Sequence, residues 1–234
     1  MKVLEAQPKL VEQVYEAILE EISTGRLSPG ERVIQEQLAK ELGVSRQPVQ
    51  QSLLLLRNQG VLQDAPGRGL QVAPLDIDYV RNMYDMRAVL EGLACRLAAE
   101  NQTKAAKSRG PALIRAGKKA VETSSVSGMI AADMAFHNMI YELSGNPLIA
   151  PTMESHWTSA RRVMGEVLLL DDQPRNVWSQ HEAILEAIGD GDGLKAETLA
   201  RTHISEAAAF MIAKLRELQK AQEPEPPSRG RLKR

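Results

Sequence analysis

Between Gly60 and Val72 the apolar residues do not recur at helical spacing. Val61-Leu62-Gln63 and Leu70-Gln71-Val72 alternate as short strands do, and Pro66-Gly67-Arg68-Gly69 between them is turn chemistry. The rest of the patterned chain reads as helix, so its cores must come from helix packing. Composition agrees, with 43% hydrophobic residues but only 3% aromatic. A core of Leu, Ala, Val, Ile and Met favours helices over a sandwich or barrel.

The order of elements is more specific. Val11, Val14, Ile18 and Ile22 share one helical face, predicting a helix over residues 10–24 that Gly25 stops. A short helix over 35–42 and a turn at Gly43 follow. A helix from Ser45, placed as its N-cap, then runs to Asn58, with Pro48 in its first turn. Helix, helix, turn, helix and hairpin is the order of a winged helix-turn-helix. Ala73-Pro74-Leu75 reads as a linker. Beyond it the pattern predicts helices over 76–100, 111–123, 127–144, 147–170, 174–189 and 193–220, with breaks at Gly110-Pro111, Gly145-Asn146-Pro147, Asp171-Asp172 and Gly189-Asp190-Gly191. The expected division is a winged helix-turn-helix DNA-binding domain over 1–74, an all-helical domain over 75–220, to which the family resemblance stated below assigns effector binding and dimerisation, and a disordered tail over 221–234.

Several classes are disfavoured. One cysteine, Cys95, allows no internal disulfide, and its setting in an apolar helix reads as a small buried hydrophobe. No signal segment and no run of 18 apolar residues is present, so a cytoplasmic protein without membrane contact is expected. No Ser/His/Asp triad or phosphate-cradling loop stands out, and the chain is not expected to be an enzyme. Net charge is −1, so nucleic-acid binding is not advertised by a global basic excess. Its distribution is more telling. Residues 1–42 carry five basic and eight acidic side chains, whereas 43–73 carry Arg46, Arg57 and Arg68 against Asp64 alone.

Leu38, Leu42, Val44, Val49, Leu53 and Leu56 would close a small core, leaving Ser45, Arg46, Gln47 and Gln50 at the exposed start of the second helix of the motif. That end enters a major groove, where Arg can bond guanine O6 and N7, and Gln can bond adenine N6 and N7. Arg68, between two glycines, can reach a phosphate or the minor groove. Leu53 to Leu56 is an unbroken apolar run, so Leu54 or Leu55 is expected to face the effector domain or a second subunit. The pattern from Leu27-Ser28-Pro29-Gly30-Glu31 through Leu38-Ala39-Lys40-Glu41-Leu42-Gly43-Val44-Ser45-Arg46-Gln47-Pro48-Val49 to Gly67-Arg68-Gly69 resembles the GntR family of transcription regulators. The remainder resembles that family's FadR-type, all-helical FCD effector domain. One departure stands out: Gln50 occupies a position where the family usually has Arg, and Gln51 and Ser52 replace the usual Glu-Ala. The resemblance therefore does not transfer an operator sequence.

Three of the four histidines form a suggestive set. Asp133 and His137 lie four apart on one helical face; His181 opens a later helix and His203 lies within the last. By themselves these could be unrelated polar residues or the inward-facing donors by which a bundle holds a divalent cation. The resemblance implies the second: Asp-x-x-x-His, then Gly145-Asn146-Pro147-Leu148, then the two later histidines match the metal-binding form of the effector domain. Zn or Ni is the leading expectation, with Mn, Fe or Co also suited. His156 falls outside the pattern. Arg87, on the core-facing stripe of the first bundle helix, reads either as a structural partner of Glu91 or as a clamp for an effector carboxylate, and the resemblance favours the clamp. Arg161, Arg162 and Trp178 are secondary candidates for the pocket wall. The expected function is a homodimeric repressor released from operator DNA by a small organic acid bound at the metal. A regulator that senses the cation itself and a metal-dependent enzyme are the alternatives.

Overall fold

The computed structural model describes residues 8–169 and 176–222. The N-terminal part comprises α1 (Pro8–Ser23), β1 (Arg32–Val33), α2 (Gln35–Glu41), α3 (Arg46–Asn58), β2 (Leu62–Asp64) and β3 (Leu70–Val72). The helical part comprises α4 (Ile77–Asn101), α5 (Thr103–Glu122), α6 (Val126–Leu143), α7 (Ile149–Leu168), α8 (Val177–Gly189) and α9 (Gly193–Gln222). The chain is mainly α, as expected.

The two parts have separate cores. In the first, Val14, Ile18, Leu19 and Ile22 of α1 meet Val49, Leu53 and Leu56 of α3, closed by Val61, Leu62 and Val72 of the sheet. Ser52, where the family usually has Ala, adds a bond from its buried Oγ to the Val11 carbonyl, 2.7 Å away, tying α3 to α1. In the second, α4 and α9 pair along their lengths around a core that includes Phe136, Ile140, Met153, Ile184 and Ile204. Asp76 starts α4 by accepting bonds from the amides of Asp78 and Tyr79, at 2.9 and 3.2 Å. Cys95 is buried, and burial pushes its thiol pKa up, as suits a packed hydrophobe.

Some expectations need correction. The sheet has three antiparallel strands in the order β1-β3-β2, because Arg32 and Val33 pair with Gln71 and Leu70. Two residues are too few for a periodicity signal. Gly110-Pro111 does not break the chain: α5 begins at Thr103 and runs through Pro111. There Gly110 lets α5 approach α8, since a Cβ would lie 2.4 Å from Leu185. Leu42 ends α2 and is 37% exposed rather than in the core. Ser45 stands at the N-cap of α3 in extended conformation, but its hydroxyl makes no capping bond. The break assigned to Asp171-Asp172 and the tail beyond residue 222 lie outside the described residues.

Helix α7 joins the two parts. Gly165 sits on the end of α1 so closely that a Cβ would fall 2.0 Å from the Ser23 carbonyl oxygen. The Tyr15 hydroxyl donates to Gln59 Oε1 at 2.6 Å and, its one proton spent, accepts from Thr158 Oγ1 at 2.8 Å. Arg161 pairs with Glu16, and buried Arg162 donates to the Ala73 carbonyl. Of the apolar run, Leu53 and Leu56 are buried, Leu54 stays exposed, and half-exposed Leu55 lines the cleft beside Tyr15, Trp157 and Thr158. Replacing Gly165 by Ala must push α1 and α7 apart. Gly165→Ala is expected to lose about 1–3 kcal/mol of stability in urea unfolding and to speed proteolytic cleavage at residues 73–75. Unchanged unfolding and cleavage would mean that the two parts do not rest on each other in solution.

Candidate metal centre and nucleic-acid interface

Ser45, Arg46, Gln47 and Gln50 are all exposed at the start of α3, and Arg68 is exposed at the hairpin tip. Gly67 and Gly69 flank Arg68 with φ of +93° and +92°, values that L side chains rarely adopt. Arg32 braces this tip by donating to the Pro66 carbonyl at 2.6 Å. Arg46 is not free: its guanidinium pairs with Glu36 of α2, and Gln35 bonds its carbonyl at 2.8 Å. Both partners of the ion pair are largely exposed, and such pairs contribute about 0–1 kcal/mol, so a phosphate or guanine can displace Glu36.

Three helices bring the other set together in the bundle interior. Asp133 and His137 come from α6, His181 from α8 and His203 from α9. The donor atoms of the three imidazoles lie within 4.8 Å of one another, and all three residues are buried. His181 Nε2 is 3.1 Å from His203 Nε2, and Asp133 Oδ1 is 3.6 Å from His181 Nε2 and 3.7 Å from His137 Nε2. Donors sharing one ion at about 2.0–2.2 Å stand roughly 3–3.5 Å from each other. The Asp133 distances exceed a hydrogen bond yet suit an ion between the groups. His156 is not a member of the cluster.

The surroundings fix which nitrogens face inward. His137 Nδ1–H donates to Glu91 Oε2 at 2.5 Å, which leaves Nε2 toward Asp133, buried and without a hydrogen-bond partner. His203 Nδ1–H donates to Gln180 Oε1 at 2.8 Å, and Gln180 is itself held by Glu206 at 2.6 Å. Such outer partners orient metal-binding imidazoles. Glu91 also accepts from Arg87 Nε at 2.8 Å. By sequence Glu91 reads only as a partner for Arg87, and Gln180 carries no signal at all. The two sequence readings of Arg87 therefore coexist: it pairs with Glu91 and also lines the cavity beside the cluster.

Charges at the site are strongly perturbed. Burial disfavours charge on His137, but Glu91 and Asp133 outweigh it and raise its pKa to about 9. Burial would raise the Glu91 pKa, yet Arg87 and His137 hold it near about 2. Asp133 is likewise kept well below the usual carboxylate range by His137 against the effect of burial. His203 drops to about 4 through burial and the His137 charge, and His181 falls well below 6.5 through burial and His203. Two neutral imidazoles thus stand beside an anionic carboxylate.

The adjoining cavity, about 60 Å³, is walled by Arg87, Asp133, His137 and His203 on its polar side and by Trp178 and methionines elsewhere. Trp178 is a wall residue as expected. Arg161 and Arg162 are not, because α7 points them toward α1 and the linker; it is Met164 and Leu168 of the same helix that face the cavity. Sequence reading also missed Trp157, whose ring lies 5.0 Å from the Arg87 guanidinium and 6.0 Å from the His137 ring.

Among the described residues no helix is long and apolar enough to cross a membrane. Comparison with known proteins matches residues 10–72 to the bacterial regulatory proteins of the gntR family and residues 82–206 to the FCD domain. The chain is 31% identical over 195 residues to an HTH-type transcriptional regulator in an unstable DNA locus of Streptomyces ambofaciens, covering 82% of this chain and 80% of that one. It is 24% identical over 195 residues to the HTH-type transcriptional repressor RspR of Escherichia coli, covering 83% and 86%. The fold matches that of E. coli McbR/YncC with a TM-score of 0.76 at 24% identity, over 87% of this chain and 97% of that one. These relatives are regulators rather than enzymes. The chain belongs to the GntR family and is a DNA-binding transcriptional regulator with an FCD domain.

Proposed function

We propose that this regulator is a homodimeric repressor released by a small carboxylate bound beside a divalent cation. The observation that carries the reading is the convergence of Asp133, His137, His181 and His203 at spacings suited to one ion. In this reading residues up to 74 read DNA, and residues 75–220 sense and dimerise. Ser45, Arg46, Gln47 and Gln50 face a major groove, and Arg68 reaches a phosphate or the minor groove. Zn or Ni best suits three imidazoles and a carboxylate, with Mn, Fe or Co as further fits. When bound, the cation supplies a Lewis-acidic point for an oxygen of the effector. Arg87 orients the effector carboxylate, and Glu91 holds Arg87 and His137 in place. The name of RspR, a repressor, supports the sign of regulation. Effector binding acts through the difference in its affinity for two arrangements of the DNA-reading parts. Helix α7 offers the mechanical link, with Trp157 against Arg87 and Thr158 on Tyr15.

Measurements on the purified protein test this. Metal analysis of the purified chain should find near-stoichiometric cation, lost in His181→Ala. A chelator should lower the Tm of the parent protein but not of that variant. Gln180→Leu should weaken metal affinity by about 10–100-fold without removing a ligand. A parent protein without metal and indifferent to chelator would reduce the four residues to structural ones. On a duplex selected from random sequence by the protein itself, Arg46→Ala should weaken binding by about 1–3 kcal/mol and relax preference at one position. Gln50→Arg should steepen the dependence of log K on log salt by about 0.9, the effect of one added phosphate contact. An unaltered slope would place residue 50 off the phosphate backbone.

A further inference from the structure

We infer that the effector is a monocarboxylic acid with a short aliphatic tail, an inference that rests on the metal-and-carboxylate reading above.

Two observations carry it. The first is the charge left once a cation is held. Ligand imidazoles must be neutral. The cation's two charges and that of Arg87 then face two carboxylates: Asp133, which as a ligand must be deprotonated, and Glu91, paired with Arg87 at 2.8 Å and with His137 at 2.5 Å. One positive charge remains, which a single carboxylate neutralises. A second carboxylate would be buried without a partner, which proteins avoid.

The second is the apolar part of the cavity wall. There Met129, Met164, Leu168, Ile204 and Met211 line the cavity with Trp178, and these five side chains offer a hydroxyl nothing better than the weak acceptor of a thioether. Among the described lining residues the other polar groups are Tyr84, Arg87, Asp133, His137 and His203, with the single indole N–H of Trp178. A hydroxyl on the first carbon could reach the charged groups, but hydroxyls further along would be stranded, each losing roughly tenfold or more in affinity. Each methylene set against the wall gains roughly fourfold. Methionines adapt their shape, so the wall accepts branched and straight tails alike. Trp178 is a fixed part of the cavity wall and limits the space available. Its ring lies over Gly117, where a Cβ would fall 1.9 Å from it, and edge-on to His181 at 4.8 Å, so it cannot swing away cheaply. The cavity's small volume of about 60 Å³ fits a tail of a few carbons.

The test uses the full-length protein loaded with Zn(II), titrated calorimetrically with butyrate, isovalerate, succinate and gluconate and followed in parallel by Tm. Butyrate and isovalerate should bind and raise the Tm, with succinate and gluconate at least tenfold weaker. Trp178→Phe should improve hexanoate relative to butyrate by severalfold. Succinate or gluconate binding as tightly as the aliphatic acids would overturn the inference while leaving the metal-and-carboxylate reading standing. Retained Zn(II) with no acid bound would overturn both the inference and the effector reading, and would favour the cation as the signal. Failure to hold Zn(II) would overturn the metal reading itself and with it the inference.

Discussion

The buried carboxylate of Glu91 is the interaction on which the centre of this protein depends. One oxygen takes the Arg87 Nε–H at 2.8 Å and the other takes the His137 Nδ1–H at 2.5 Å, with the side chains of all three nearly inaccessible to water. Removing a carboxylate's water is expensive, and only two charge-assisted bonds of good geometry make such burial tolerable. The same two bonds do structural work on both sides. They join α4 to α6, they keep a buried arginine charged, and they turn His137 so that its Nε2 faces Asp133. Deleting the carboxylate would strand a guanidinium and release the imidazole, so stability and site geometry cannot be separated here.

Around that hub, helix α7 divides its faces between two tasks. Trp157, Met164 and Leu168 look toward the cluster and its cavity. Thr158, Arg161, Arg162 and Gly165 look toward α1 and the linker. The 3.6-residue period makes this possible: positions three, four and seven apart share a face, and their immediate neighbours belong to another. Trp157 and Thr158 are adjacent in sequence and share the cleft beside Tyr15, yet Trp157 reaches Arg87 while Thr158 bonds Tyr15. A rigid helix so placed cannot shift at one face without shifting at the other.

The recognition end shows a different balance. Arg46 is held by Glu36 in the free protein, and the hairpin tip owes its form to Arg32 and two glycines with positive φ. An exposed ion pair is weak enough to exchange for DNA. Together with Gln50 in place of the family's usual Arg, this gives the reading head fewer free cations than the motif alone suggests.

Much of this was legible in the chain itself. Helical periodicity with one interrupting hairpin fixed the element order, and a long ordered motif identified the family. The four candidate metal-site residues were legible only through the family resemblance, since by themselves three histidines and an aspartate could be unrelated polar residues. Local rules misled where tertiary contact overrode them. Gly110-Pro111 looks like a stop, but helix packing on Leu185 requires the glycine and carries α5 through. Arg161 and Arg162 look like ligand-binding cations, but the rotation of α7 assigns them to α1 and Ala73. Strand β1 has two residues and no pattern of its own; only its pairing with β3 creates it. Glu91 and Gln180 became part of the centre because helices far apart in sequence bring them to His137 and His203. Spacing along one helix is written in the sequence, since its geometry is fixed by the backbone. Which nitrogen of an imidazole faces inward, which face of α7 meets which partner, and what apolar wall lines the cavity depend on packing between helices, and only the tertiary structure decides them.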